Sequence, residues 1–223
     1  MDFVELGDEV YFTALSDTTG RELWRTRGTS ESTTVIDIRP GPESSNPEQL
    51  VVADGKLFFA ADDGNHGQEL WVTDGETTEM VMDINPGSYE SSIGRIRSTQ
   101  TTAMVSLGDA VFLYAEDGVH GQEVWRSDGT TPGTFLVGDF TEGPNPSTTR
   151  HFTVIEDELF FVVIQFGIRV REVWKTDDTG LNPIKIRGSN DFRIIYDRFF
   201  RDFSEIPPPV PPGGGDSLAS AGR

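Results

Sequence analysis

Apolar and polar residues alternate in short runs along most of this chain, and each run is stopped by Gly, Asp, Asn or Pro. That period of two with frequent turn residues predicts half-buried or fully buried β-strands. The clearest example starts at Pro47–Ala53, turns at Asp54-Gly55 and returns through Lys56–Asp62, rich in Leu, Phe and Ala. The loop Asp63-Gly64-Asn65-His66-Gly67 then leads into Gln68–Thr73, and Asp74-Gly75 turns into a strand from about Glu79 to Ile84, stopped by Asn85-Pro86-Gly87. Asp-Gly accepts the positive φ of a tight hairpin, so four antiparallel strands are expected. No segment carries the 3,4 spacing and capping signals of a helix.

The same four-strand pattern recurs. Strands are predicted near 8–14, 20–26 and 33–38 in a first unit, which lacks a full first strand. A third unit gives 102–106, 109–115, 121–127 and 134–140, and a fourth gives 151–155, 158–164, 170–176 and 182–187. The third strand is best preserved: Arg21-Glu22-Leu23-Trp24, Gln68-Glu69-Leu70-Trp71, Gln122-Glu123-Val124-Trp125 and Arg171-Glu172-Val173-Trp174 hold all four tryptophans, spaced by 47, 54 and 49 residues. That period, close to ~40–50 residues, predicts β-propeller blades. One sheet with two apolar faces cannot bury both alone, and blades stacked around an axis bury both.

The expected fold class is therefore all-β: a β-propeller of four-stranded antiparallel blades, with units at about 1–41, 42–101, 102–150 and 151–203. Two arrangements stay open. In a four-bladed ring, Asp191–Asp197 would supply the first strand missing from unit one; alternatively that segment begins a further blade of a larger propeller. Residues 204–223, with Pro207-Pro208-Pro209-Val210-Pro211-Pro212 followed by three glycines, are expected to form a disordered Pro/Gly-rich tail.

Composition narrows the function classes. The chain has 37 acidic and 18 basic residues, for a net charge of -19. Such a chain is a poor match for nucleic acid, which needs clustered Lys and Arg. Residues 161–223 hold 9 basic and 8 acidic residues, so the first 160 carry 9 and 29, a balance of -20. No cysteine is present, which excludes disulfides and thiolate chemistry. No apolar run reaches the ~20 residues of a membrane span, and Met1-Asp2-Phe3-Val4-Glu5 is unlike a signal peptide. The expectation is a monomer or part of a longer chain.

The phrase Gly-x-Glu-Leu-Trp-x-Thr-Asp-Gly, followed by a strand ending Asp-Ile-x-Pro-Gly, resembles the bacterial ELWxxDGT-repeat family of propeller-like proteins. The resemblance covers roughly residues 3–187 and implies an extracellular or cell-envelope setting, with activity largely unassigned. Three departures stand out: Arg27 replaces the motif Asp, Val170 the Gly before it, and Asp178 its final Gly. The last puts the regularity of unit four in question.

Candidate chemistry is sparse. Glu22, Glu69, Glu123 and Glu172 each share a strand face with Trp24, Trp71, Trp125 and Trp174. A ring would distribute these acids among separate blade interfaces, whereas a glycosidase needs two carboxylates about 5–9.5 Å apart. They are read as structural acceptors, beside the turn residues Asp74, Gly75, Asp128 and Gly129. Asp62, Asp63 and Asp117 are candidate calcium ligands, although neither loop has an alternating Asp-x-Asp-x-Asp-Gly run. His66, His120 and His151 are read as loop histidines and not as a zinc site. No other cofactor is indicated.

The first functional expectation is a non-catalytic binding module of a secreted or envelope-associated bacterial protein. It would meet a protein or glycan through the connections at 39–48, 85–101 and 141–150. The alternatives are a carbohydrate-active enzyme with carboxylates at the propeller mouth, and a truncated structural repeat without an independent role. If Trp71 fills the space between blades, Trp71→Ala costs roughly 3–5 kcal/mol in urea unfolding, and a loss well under ~1 kcal/mol would place it toward solvent.

Overall fold

The computed structural model describes residues 3–86, 104–140, 147–165 and 170–189. These form four four-stranded antiparallel sheets. Blade 1 is β1 (Val4–Leu6), β2 (Glu9–Ser16), β3 (Gly20–Thr26) and β4 (Thr34–Ile36). Blade 2 is β5 (Glu48–Ala53), β6 (Lys56–Asp62), β7 (Gln68–Thr73) and β8 (Thr78–Met82). Blade 3 is β9 (Met104–Leu107), β10 (Ala110–Glu116), β11 (Gln122–Ser127) and β12 (Phe135–Gly138). Blade 4 is β13 (Ser147–Ile155), β14 (Glu158–Gln165), β15 (Val170–Thr176) and β16 (Ile184–Ser189). Strands are ordered sequentially within each sheet, the meander of a β-propeller.

Turn chemistry sets the registers. Asp54 and Gly55 both have positive φ, 46° and 70°, and join Ala53 to Lys56 as a two-residue hairpin. Bulges follow Glu48 in β5 and Arg150 in β13, where Gln49 and His151 take positive φ. These add local twist to the first strands of blades 2 and 4.

Strand alternation gives each blade two apolar faces, and each face meets a different neighbour. In blade 2, Leu57, Phe59 and Ala61 pack with Tyr11 and Leu23 of blade 1, joined by Trp71. One residue out of phase, Phe58, Ala60, Leu70 and Val72 pack against Val111, Leu113, Ala115 and Trp125 of blade 3. The opposite face of blade 3, with Phe112, Tyr114 and Val124, meets Leu159, Phe161 and Val163 of blade 4. Tyr114 stacks on Phe152 at 4.0 Å between ring centres, and Phe140 bridges Phe161 and Trp174 edge-on. Each of Trp71, Trp125 and Trp174 therefore faces the preceding blade.

Several expectations change in detail. Blade 1 does possess a first strand: Val4–Leu6 pairs with Tyr11–Glu9 around Gly7-Asp8. Its three residues were too few to show alternation, and the segment proposed to replace it, 191–197, lies outside the described residues. The turn of blade 4 absorbs its missing glycine by shifting: the positive φ moves to Gly180, and its N–H bonds the Asp177 carbonyl at 3.2 Å. The first compact unit runs to Gly188; of the second, 189–223, only Ser189 is described, so the expected tail boundary at 203/204 lies outside as well.

The tryptophans also differ among themselves. Trp125 is 6% exposed, whereas Trp24, Trp71 and Trp174 are half-buried. The full core cost of ~3–5 kcal/mol therefore belongs to Trp125→Ala, with Trp71→Ala and Trp24→Ala smaller. Urea unfolding of the three variants checks that order. Gly20 gives a second test, because an added Cβ would lie 2.6 Å from the Glu43 carbonyl oxygen at φ +68°, while Gly28 at φ +93° has open space. Gly20→Ala should cost about 3 kcal/mol or more and Gly28→Ala about 1–2 kcal/mol.

Candidate functional site

Because strands alternate in direction, each blade has two unlike ends. One carries the connections between blades and the loops between second and third strands, here the loop end. The other carries the hairpins and third-to-fourth-strand turns, here the turn end. The residues repeated in sequence fall into these two groups.

At the loop end the motif glutamate anchors the exit from its own blade. Glu22, fully buried, accepts the Ile38 N–H at 3.1 Å and the Ser45 N–H at 2.8 Å, and its other contact is the Ser45 hydroxyl. Burial raises its pKa, and the donors from Ser45 and Ile38 oppose that rise. Glu69 repeats the arrangement by accepting the Ile84 N–H at 3.1 Å. Ile38 and Ile84 are the isoleucines of Asp-Ile-x-Pro-Gly, so the two most regular pieces of the repeat are partners. The next residue reaches onward: Arg39 lies against Gly64 and Asn85 against Gly118, the loop glycines of the following blades.

The connection at 39–48 is consequently more fixed than a variable loop. Ser44 accepts the Arg21 N–H at 2.9 Å, the Asn46 N–H bonds the Arg21 carbonyl, and the Asp62 N–H bonds the Ser45 carbonyl. Pro42 and Glu43 remain exposed. Most of the two other proposed connections lies outside the described residues. In blade 4, Glu172 is bonded instead by the Trp174 indole N–H at 3.0 Å and by Lys185. Glu123 is buried in blade 3.

The acidic loops form matched Asp–His turns. Asp63 Oδ1 accepts the N–H groups of Asn65 and His66, and Oδ2 lies 2.8 Å from His66 Nδ1. Asp117 does the same with Val119 and His120, 2.7 Å from His120 Nδ1. Burial works to raise both aspartates, but these hydrogen bonds outweigh it and hold them below their ordinary range. The paired carboxylates raise both histidines. Asp62 accepts the Gly64 N–H at 2.7 Å. Each of the three calcium candidates thus turns one oxygen to the loop backbone, and among the described residues no three His, Asp or Glu side chains converge as a metal site. His151 sits at the β13 bulge.

At the turn end, Asp74 Oδ1 accepts the Glu76 and Thr77 N–H groups, making a four-residue turn in which Gly75 has φ 94°. Asp128 accepts the Thr130 N–H and hydroxyl, and Gly129 has φ 85°. Arg27, in the place of this aspartate, instead forms ion pairs with Asp8 and Glu9.

A further set of residues escaped the sequence reading. Arg25 donates to the Gly75 carbonyl, Lys56 to the Asp128 carbonyl at 3.0 Å, and Arg126 to the Asp178 carbonyl at 2.7 Å. Each bond runs from one blade to the third-to-fourth-strand turn of the next. Arg25 and Arg126 also pair with acids on their own second-strand side, Glu9 at 3.3 Å and Asp109 at 2.9 Å. Blade 2 has Val72 at that place, and Lys56 on the neighbouring strand supplies the charge. The available signal was a basic residue directly after Trp in three of four copies.

No family model matches the sequence, and no curated protein matches it. Among solved structures, puromycin hydrolase is similar over 82% of this chain and 28% of its own, at 17% identity and a TM-score of 0.55. A puromycin-hydrolyzing peptidase of Mycobacterium tuberculosis matches 84% of this chain and 29% of its own, at 12% identity and 0.53. The β-propeller domain of the Trilobed protease from Pyrococcus furiosus, described as having an open velcro topology, matches 85% of this chain and 55% of its own, at 9% identity and 0.51. At such identities the likeness concerns the fold, a β-propeller. This chain spans less than a third of the two hydrolases.

Two predictions follow from the loop end. The stability that the charged His-Asp pairs contribute should be at its full value between the ordinary aspartate value of 3.8 and the ordinary histidine value of 6.5, and should fade on either side. A raised histidine contributes stability below its unfolded pKa and loses it as pH rises through the folded value; a depressed aspartate contributes above its unfolded pKa and loses it as pH falls through the folded one. NMR titration should show His66 and His120 above 6.5, and Asp63→Asn should return His66 alone toward the ordinary value. Separately, Glu22→Gln places an amide donor against N–H donors and should cost about 1–3 kcal/mol, measured by urea unfolding.

Proposed function

We propose that this propeller is a non-catalytic binding module whose loop end meets a protein or glycan partner. The observation that supports it is the engagement of the repeated polar residues in the fold: Glu22 and Glu69 hold backbone N–H groups, and Asp63, Asp74, Asp117 and Asp128 hold turns. A glycoside hydrolase of the common two-carboxylate kind needs both carboxyl groups free to address one substrate. What the loop end offers outward is the pair of matched turns, with Asn65, His66, Val119 and His120 at their tips. Val119 is 62% exposed.

Partner specificity rests on these tips together with Pro42 and Glu43, carried by a scaffold that holds them in place. The motif resemblance supports a bacterial, envelope-associated or secreted setting. The acidic first three blades favour a partner surface with positive charge, whose association weakens as salt screens it.

The test is a binding screen of purified protein against a glycan array and bacterial envelope proteins. It is repeated with the quadruple variant Asn65→Ala, His66→Ala, Val119→Ala, His120→Ala after its melting is shown to match the parent. The expected result is a ligand retained by the parent and weakened at least tenfold in the variant. Equal binding by both, or cleavage of a bound glycan by the parent, would contradict the proposal.

A further inference from the structure

The two end blades carry the two halves of an interface that the inner blades complete. In blades 2, 3 and 4 the face toward the preceding blade consists of three second-strand residues and the motif Trp, and all nine second-strand residues are fully buried. In blade 1 the matching set is Val10, Phe12 and Ala14 with Trp24, and Phe12 lies directly opposite Trp24 as Phe59 lies opposite Trp71. All four are only half-buried, and Phe3, 65% exposed, packs on Phe12 at 5.5 Å between ring centres. Blade 1 thus presents the apolar face of a blade interface to solvent.

The polar clasp gives the same result independently. A Cβ placed on Gly75 would meet Tyr11, one on Gly129 would meet Phe58 and Lys56, and one on Gly180 would meet Arg126, each from the preceding blade. On Gly28 it would meet nothing within 4 Å. At the other end, Lys175 occupies the position of Arg25 and Arg126 and pairs with Glu158 at 2.5 Å, as they pair with Glu9 and Asp109. Those two also hold the next blade's turn carbonyl; Lys175 is bonded to Glu158.

We propose that blade 1 docks on blade 4 of a second copy of this chain, with Lys175 of one copy bonding the turn carbonyl near Gly28 of the other. The arrangement is head to tail, and two copies close it with two identical contacts. Eight blades lie within the ~4–8 common to propellers. A second copy is the occupant because it brings both missing parts together: the cation with its acid partner, and an apolar sheet of the same repeat. Closure within one chain would bring Lys175 to its own Gly28 turn, a contact absent among the described residues. The half-burial of Trp24 follows from the same open face.

Sedimentation of the full chain across a concentration series should show a species of twice 24.6 kDa that dissociates on dilution. Phe12→Asp, at a half-exposed site, and Lys175→Glu should each shift that midpoint at least tenfold toward monomer with circular dichroism unchanged. Since the chain lacks cysteine, the double variant Arg27→Cys, Lys175→Cys treated with a short bis-maleimide gives a direct geometric readout. A covalent dimer from the double variant supports the docking. A linkage formed within one chain, a monomer at every concentration, or a dimer indifferent to both Phe12→Asp and Lys175→Glu overturns it.

Discussion

A four-stranded sheet that is apolar on both faces cannot shelter either by folding alone, and this constraint organises the molecule. With Phe58 and Phe59 adjacent in one strand and both fully buried, blade 2 requires a neighbour on each side. Blades 1 and 3 supply them. Removing apolar surface from water is worth ~25 cal/mol per Å², and only stacking of consecutive blades achieves it on both faces. Stability is thereby shared among neighbours, as in other repeat architectures.

The polar residues of the repeat make that stacking specific. Apolar faces alone would permit sliding, and two sets of directional contacts fix the offset. At the loop end, Glu22 and Glu69 tie the outgoing chain to the blade it leaves, while Arg39 and Asn85 lie against the next blade's loop glycines. At the turn end, Arg25, Lys56 and Arg126 reach across to backbone carbonyls. A motif this regular invites reading as a site, but its carboxylates and turns are occupied in joining one unit to the next.

Much of this was legible in the sequence because alternation and turn residues act locally. Asp54-Gly55 announces its hairpin, and the parity that sends Leu70 and Trp71 to opposite faces follows from the pleat. Contacts between blades were less legible. The clasp moves from the third strand in Arg25 and Arg126 to the second in Lys56, so no single aligned column carries it. The three residues of Val4–Leu6 are too short for periodicity to register. The connection at Ser44–Asn46 looked free because nothing local reveals that Glu22, more than twenty positions earlier, holds it. Equal motifs also concealed unequal burial, since Trp24 and Trp125 differ in what lies beyond them and not in their own strands.

The central claim is that the repeated residues join blade to connection and blade to blade. Amide hydrogen exchange at Ile38, Ser45 and Ile84 tests it most directly, because these N–H groups lie outside every strand and their acceptors are Glu22 and Glu69. The account predicts protection comparable to the central strands β6 and β7, lost at Ile38 and Ser45 alone in a Glu22→Ala variant that retains its sheets. Exchange at the rate of an open loop in the parent protein would contradict it.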